Sequence, residues 1–263
     1  MKKPIKVLFV ILCIVFIGIF LYSGYKIYET VLAPGGYYTS NKNNKEYQSS
    51  YVRPKASATP AQQSGEPEIV LDPETSPIDV DFTSLSQRCE DIVGWLYCPD
   101  TVINLPVVRY DDNMFYLHKD IDGNYSSYGT LFVECLCHGD FSDNNTIVYG
   151  HHMNDGKMFA KLVEYNYQSY YDEHPLFYLN TPKYNYRIEL FAGFVTKMDS
   201  DVYAINFDSP QANQEWLDSV RAQSTFQSDV EVNPGDKLIT MSTCTYEYDD
   251  ARYVLIGKMV AIH

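Results

Sequence analysis

The pattern of apolar and polar residues sets the start of the chain apart. An unbroken apolar run covers residues 7–22, with three lysines before it and only Lys26 close behind. With its flanks, this run approaches the ~20 residues needed to cross a bilayer, and flanking lysines mark the cytoplasmic side. We therefore expect a cytoplasmic N-terminus at 1–6, a single transmembrane signal anchor at 7–25, and export of the rest.

Two other interpretations of the apolar run fit the sequence less well. A cleaved signal peptide needs small residues at the cut, and the nearest candidate, 31–33, is followed by Pro34, which is unfavourable after a scissile bond. A buried core helix rarely lies at an extreme N-terminus with charge on one flank only. Retention of the run as an anchor is the interpretation favoured.

The composition changes after the anchor. Six prolines are scattered through residues 26–80 among Gly, Ser, Asn, Gln and Thr, with few large aliphatic residues. This composition predicts an extended extracellular stalk. Residues 81–263 show no internal repeat, so we expect them to form a single catalytic domain.

Within this domain the apolar pattern favours strands over helices. Stretches rich in β-branched and aromatic residues occur at 102–108, 130–133, 146–149, 186–195, 237–241 and 253–262. Helical spacing is found at 85–96 after Ser84, at 158–165 and at 211–223. Many short strands without βαβ alternation predict a mainly β fold, a closed or nearly closed barrel decorated by a few helices.

Composition narrows the range of functions. The net charge of −14 argues against a nucleic-acid partner, because phosphate binding relies on clustered Lys and Arg. Six cysteines form no regular framework, so a disulfide scaffold is not expected. The group Cys135, Cys137 and His138 lacks the usual gap between zinc-binding cysteines, and we expect neither a metal nor a cofactor.

The candidate chemistry lies at the ends of predicted strands. Residues 238–244 alternate and end in Cys244, a polar loop follows, and Arg252 begins the next predicted strand. A cysteine held at a strand end can act as a nucleophile, and an adjacent guanidinium can hold the charge that develops on a carbonyl oxygen. Taken alone, each residue is more often structural; together, they have the layout that acyl transfer requires.

A histidine pair ends another predicted strand. Residues 146–149 lead to Gly150, His151 and His152, and a histidine there can exchange a proton with a thiol or a leaving amine. We favour His151, because strand alternation would turn His152 to the opposite side.

These motifs resemble a known family. The block TMSTC at 240–244 with Arg252 resembles the signature of sortases, and GHHMNDGKMF at 150–159 is similar to the histidine motif of their class B, as are 93–96 and 103–108. Met241 stands where the family usually has Leu, which is a tolerable change of similar volume, and the loop before Arg252 is short. The resemblance covers the chain from about residue 85 onward.

The resemblance implies an eight-stranded sortase barrel with an N-terminal helix and a helix inserted before the last strands. It assigns His151, Cys244 and Arg252 to catalysis, and Asn104, Val108 and Ser242 to the substrate groove. The implied reaction cleaves a C-terminal sorting motif of an exported protein after Thr. A thioacyl enzyme then passes the protein to an amine of a peptidoglycan precursor resembling lipid II.

Three other functions share the same anchor and motifs. A thiol hydrolase would release its acyl group to water, a pilin polymerase would use a protein lysine as acceptor, and an inactive module would only bind at the cell surface. The absence of a second apolar anchor in this sequence argues mildly against a pilus-type enzyme.

Overall fold

The computed structural model describes residues 3–55, 74–245 and 249–262. Its helices are α1 (Lys3–Ile27), α2 (Tyr37–Tyr51), α3 (Phe82–Arg88), α4 (Gln168–Glu173) and α5 (Pro210–Gln223). Its strands are β1 (Val52–Pro54), β2 (Ile78–Val80), β3 (Ile92–Tyr97), β4 (Asn104–Arg109), β5 (Leu131–Val133), β6 (Asn145–Tyr149), β7 (Leu176–Asn180), β8 (Asn185–Lys197), β9 (Leu238–Cys244) and β10 (Ala251–Ile262).

Strands β3 to β10 close into a barrel. Their order is β10-β8-β7-β3-β4-β5-β6-β9, and β9 pairs back with β10. The β4–β5 and β6–β9 pairs are parallel, whereas the other neighbouring strands run antiparallel. The largest buried cluster, which includes Leu105, Val148, Met241 and Leu255, fills the interior. The predicted eight-stranded barrel is confirmed.

The two faces of β9 have different surroundings. Ile239 and Met241 belong to the interior cluster, so alternation turns Thr240, Ser242 and Cys244 to the outside of the barrel. On that outside, one apolar cluster lies with α2 and α3 beside β4 and β5, and another lies with α5 beside β8 and β10. The C-terminal ends of the parallel strands β6 and β9 therefore lie between two regions that are covered by helices.

The helix predicted at 211–223 is confirmed as α5. The Ser209 hydroxyl caps it by accepting a hydrogen bond from the Ala212 N–H, and Trp216, Leu217 and Val220 are buried on one face. This is the helix inserted before the last two strands.

Two other helix predictions were wrong in extent. The stretch at 85–96 divides into α3, capped by Asp81 rather than Ser84, and strand β3. Strand β3 is covered on both faces, and such a strand reads as a continuous apolar run that is easily taken for a helix. In the stretch at 158–165 the helix begins only at Ala160 and is a 3-10 helix, Ala160–Asn166. Met158 cannot belong to it, because its φ of 54° lies outside the right-handed helical region.

The expectation of an extended stalk over 26–80 was wrong for residues 37–55. Helix α2 begins just after the anchor, and β1 pairs with β2 beside it. One face of α2 carries tyrosines and small polar residues at helical spacing: Tyr37, Ser40, Asn44, Tyr47 and Tyr51. Because this stripe lacks aliphatic residues, the sequence pattern indicated a linker rather than a helix with a buried face. Part of the expected stalk, 56–73, lies outside the described residues.

Helix α2 is fastened to the barrel domain through Tyr47. Its ring is 1% exposed, and its hydroxyl donates to the Asp122 carboxylate at 3.1 Å. The Arg88 guanidinium lies 4.8 Å from the centre of the Tyr47 ring and pairs with Glu46 and Asp122. Farther along α2, the Gln48 amide donates to the Asn104 carbonyl at 2.8 Å. Helix α2 is thus part of the folded domain.

Helix α1 is long and apolar enough to cross a membrane. It has 25 residues, which corresponds to about 37 Å and exceeds the ~30 Å hydrocarbon core of a bilayer. From Val7 onward its side chains are exposed, so no described part of the barrel covers it. This is compatible with the predicted anchor.

Truncating Tyr47 tests whether α2 belongs to the domain. We expect Tyr47→Ala to lower the free energy of unfolding by about 3–5 kcal/mol, because a large buried ring leaves a cavity. Urea unfolding of the full chain in detergent measures this change. The matched control is Tyr38→Ala on the exposed face of α2, for which we expect a change within ~0.5 kcal/mol. Equal effects of the two variants would show that the docking of α2 through Tyr47 does not stabilise the domain.

Candidate active site

The barrel brings Cys244 and Arg252 together at adjoining strand ends. The two residues are direct partners in the antiparallel β9–β10 pair, and the Thr245 N–H donates to the Ala251 carbonyl just beyond it. Directly opposed residues of antiparallel strands point to the same face of the sheet. Cys244 is partly exposed there. The predicted neighbouring placement of nucleophile and guanidinium is present.

Arg252 is held at the edge of the site by few contacts. Its Nη1 donates to the Ala251 carbonyl at 3.0 Å, and its Nη2 lies 3.6 Å from the Met198 sulfur, an exposed residue after β8. Among the described residues, no carboxylate forms an ion pair with this guanidinium. Toward the described residues, most of its N–H groups remain available for an anionic oxygen.

His151 reaches the same end of the barrel from the neighbouring strand. Strand β6 runs parallel to β9 with Tyr149 beside Ser242, and the Gly150 N–H continues the ladder by donating to the Ser242 carbonyl at 3.1 Å. A Cβ on Gly150 would lie 2.5 Å from the Leu131 side chain, so only glycine fits before His151. His151 and Cys244 each lie two residues beyond this paired row.

The orientation of the His151 ring is set by a backbone carbonyl. Its Nε2 lies 2.7 Å from the Leu117 oxygen, and since a carbonyl only accepts, Nε2 carries the hydrogen. In the neutral ring the Nδ1 lone pair is then free to take a proton. Burial lowers the pKa of His151, and the nearby His118 lowers it further against the opposing effect of the Leu117 carbonyl. The imidazole is thus neutral at neutral pH.

Comparison with known proteins decides the family. The family model of the sortase domain matches residues 96–260. Sortase B of Listeria monocytogenes is 33% identical over 255 residues, which cover 95% of this chain and 95% of that protein. Sortase B of Staphylococcus aureus is 31% identical over 183 residues, 69% of this chain and 75% of that protein. The chain belongs to the class B sortases.

Solved sortase structures agree with this assignment. Sortase B from Bacillus anthracis in complex with AAEK1 matches with a TM-score of 0.70 and 28% identity, covering 86% of this chain and 98% of that one. The Staphylococcus aureus sortase B–substrate complex matches with a TM-score of 0.66 and 30% identity, covering 69% and 85%. Members of this family are cysteine transpeptidases that anchor surface proteins to the cell wall of Gram-positive bacteria.

The other thiols of this sortase have different environments. Burial raises the pKa of Cys98 to about 12 and that of Cys137 to about 11, which keeps both protonated. The exposed Cys13 lies on α1, far along the chain from the barrel. No group of three or more potential metal ligands occurs in the described part of the chain. His138 of the candidate zinc group instead pairs with the Asp143 carboxylate at 2.7 Å.

His152 contacts Cys244 through the backbone. Its Nδ1 donates to the Cys244 carbonyl at 2.9 Å. The alternation expected to turn His152 away does not apply, because β6 ends at Tyr149 and His152 forms an isolated bridge with Met158. His152 is therefore bound through Nδ1 to the backbone at the end of β9.

Of the three predicted groove residues, Ser242 lies beside the predicted nucleophile Cys244. It is two residues before Cys244 on the same face, and its hydroxyl is 2.8 Å from the Tyr203 hydroxyl. The Tyr203 ring lies 6.2 Å from that of Tyr149, whose hydroxyl donates to the Glu134 carboxylate. Tyr149, Tyr203 and Leu117 are neighbours of the site that sequence reasoning missed. Of these three residues, only Tyr149 could have been predicted from the sequence, because it lies two residues before His151 at the end of the same predicted strand.

Asn104 and Val108 have other surroundings. The Asn104 side-chain oxygen accepts from the Trp95 indole at 2.7 Å, on the side of β4 where α2 docks. Val108 is fully buried in the apolar cluster beneath α2 and α3. The structure does not bring Val108 to the cleft, because the outer face of β4 is covered by helices.

A titration tests the environment of His151. We expect its pKa to lie below 6.5 because of burial, and His118→Gln to raise it by removing the electrostatic effect of the His118 ring. NMR of histidine side chains in the full chain across acidic pH measures both values. His138→Gln is the control, since His138 is exposed and pairs with Asp143. An unchanged His151 pKa in the His118 variant would contradict the proposed coupling.

Proposed function

We propose that this sortase cleaves a C-terminal sorting motif in exported proteins after Thr and joins the protein to an amine of a peptidoglycan precursor. Cys244 is the nucleophile, His151 the proton carrier and Arg252 the stabiliser of the oxyanion. The observation that supports these roles is the direct pairing of Cys244 with Arg252, next to the strand that carries His151.

The first half of the reaction forms a thioester. The Cys244 sulfur attacks the Thr carbonyl carbon, and the thiol proton passes to Nδ1 of the neutral His151. Arg252 donates hydrogen bonds to the oxygen as it gains negative charge. The C–N bond then breaks, and His151 returns the proton to the leaving amine.

The second half consumes the thioester. A primary amine attacks the acyl carbon, His151 removes its proton, and the Cys244 thiol is regenerated as a new amide forms. One solved sortase B structure, with a TM-score of 0.66 and 30% identity, is complexed with a peptide of three glycines. Such a peptide carries a primary amine of the kind that this step needs. By analogy, the acceptor here is the amine of a lipid II-like precursor.

The proposed location follows from α1. Lysines precede its apolar run, which favours residues 1–6 inside the cell and the barrel outside, with the chain crossing the membrane once. The enzyme and a membrane-bound acceptor would then share one surface. No nucleic-acid partner is proposed, in keeping with the acidic charge.

Replacing Arg252 tests the role of its guanidinium. We expect Arg252→Lys to lower kcat/KM by about 10²-fold, because an ammonium lacks the planar set of donors even though the charge is kept. Lys258→Arg on the same strand is the control for a conservative exchange outside the site. A near-unchanged kcat/KM in Arg252→Lys would exclude oxyanion stabilisation as the main role of Arg252.

An assay with different acceptors distinguishes the proposed transpeptidase from a thiol hydrolase, a pilin polymerase and a surface-binding module. The full chain in detergent is given a library of sorting peptides with wall-derived amines, protein lysines or water alone, and products are identified by mass spectrometry. We expect a new amide at the Thr carbonyl with a wall amine, because a positioned acceptor outcompetes water. Cys244→Ala is the control and should form no product.

Other products would point elsewhere. Exclusive hydrolysis across the panel would favour a thiol hydrolase, ladders of linked protein would favour a pilin polymerase, and no thiol-dependent product would favour a surface-binding module. The full chain is preferred to a fragment from residue 81, because α2 covers the apolar cluster that includes Trp95.

A further inference from the structure

The connection between α1 and the barrel domain is short and tightly packed. A π-helical turn, Tyr28–Leu32, continues α1, and only residues 33–36 separate it from α2. The Gly35 carbonyl accepts from the Ser127 N–H at 2.8 Å, and the Ser126 hydroxyl donates to that of Ser40 at 2.9 Å. The segment at 56–73 lies between β1 and β2, so it cannot lengthen this connection.

Gly35 shows how closely the barrel domain approaches the anchor. Its φ is 79°, and a Cβ there would lie 2.3 Å from the Tyr125 carbonyl oxygen and 2.5 Å from the Tyr125 ring. Glycine is therefore required, and the loop that carries Tyr125 lies directly on the connection between α1 and α2.

The distance from the bilayer is correspondingly small. The first charged pair after the apolar run is Lys26–Glu29, 2.7 Å apart, which marks the point where α1 leaves the hydrocarbon core. From Lys26 to Leu32 a helix rises roughly 9 Å, whereas a headgroup layer is about 5–7 Å thick. Gly35 and Tyr125 then lie at the outer edge of the headgroups.

The surface at this height is suited to a lipid interface. Four large side chains are more than half exposed around the connection, and we call them the junction patch: Tyr28, Leu32, Tyr38 and Tyr125. Tyrosine favours the membrane–water interface because its ring is apolar and its hydroxyl is polar. Lys119, paired with Tyr125 in an isolated bridge, adds a cation that suits lipid phosphate.

The junction patch is close to the active site. The Tyr125 and His118 rings are 6.4 Å apart, and the His118 and His151 rings are 5.6 Å apart, which limits the Tyr125-to-His151 separation to about 12 Å. If the junction patch contacts lipid, the His151 side of the cleft therefore also lies near the headgroups.

We propose that the junction patch docks on the bilayer that α1 crosses and so holds the His151 side of the cleft at the lipid surface. This rests on the membrane location proposed above and deepens it. Docking would present the cleft to an acceptor amine carried on a lipid, without any stalk in between.

Depth-dependent quenching tests the docking. Full-length Tyr125→Trp and Tyr184→Trp are reconstituted in vesicles of phosphatidylcholine and phosphatidylglycerol that contain lipids spin-labelled near the headgroup. Tyr184 is equally exposed and lies in the β7–β8 turn. That turn lines a cleft together with residues 79–83 of β2 and α3, next to the end of α2 that is farther from the junction patch. The emission of Trp95 and Trp216 is common to both and is subtracted with the parent protein.

We expect the added emission of Tyr125→Trp to be quenched several-fold more strongly than that of Tyr184→Trp. Equal, weak quenching of the two would overturn the proposal. Emission that responds to protein density but not to labelled lipid would also overturn it, because it would indicate contact between copies of the chain.

A second comparison keeps this test separate from catalysis. The double variant Tyr38→Ser, Tyr125→Ser should transfer a soluble peptide to a soluble amine in detergent at the parental rate. In vesicles with a lipid-linked amine its transfer rate should fall several-fold, and a parental rate there would count against docking. If the parent protein does not transfer the soluble peptide to the soluble amine, the proposed function is contradicted, whatever the quenching shows.

Discussion

The register of β9 is the constraint on which the active site depends. Strand β9 is bound on one side to β10 in antiparallel register and on the other to β6 in parallel register. A slip of one residue in β9 would turn Cys244 into the barrel interior and remove it from Arg252. Apolar residues on the inner face, such as Met241, resist that slip because it would expose them. The packing of the core thus fixes the chemistry on the outside.

Helices on the outside of the barrel define where that chemistry meets solvent. The clusters beneath α2 and α5 cover the neighbouring strands and leave the ends of β6 and β9 accessible. The loop that carries Leu117 and His118 then reaches over His151 and sets its tautomer. The His151 ring is therefore oriented by a segment far from it in sequence, which no local pattern reveals.

Sequence reasoning succeeded where the information is local. Cys244 and Arg252 are joined by one short loop, so strand–loop–strand alternation was enough to place them together. It failed where the outcome depends on which other elements cover a residue. Val108 is in a plausible motif, but its direction depends on the helices that cover β4. Helix α2 was read as linker because its buried face uses tyrosines and serine rather than aliphatic residues, and β3 was read as helix because it is covered on both sides.

The position of residues 56–73 between β1 and β2 bears on how the barrel stays attached to α1. A protease that cuts the chain there divides it into an anchor fragment and a barrel fragment. The two remain joined by the β1–β2 pair, by the burial of Tyr47 and by the Arg88–Glu46 ion pair. Cleavage at this place therefore does not by itself separate the barrel from α1, since attachment depends on folded contacts as well as on the continuous backbone.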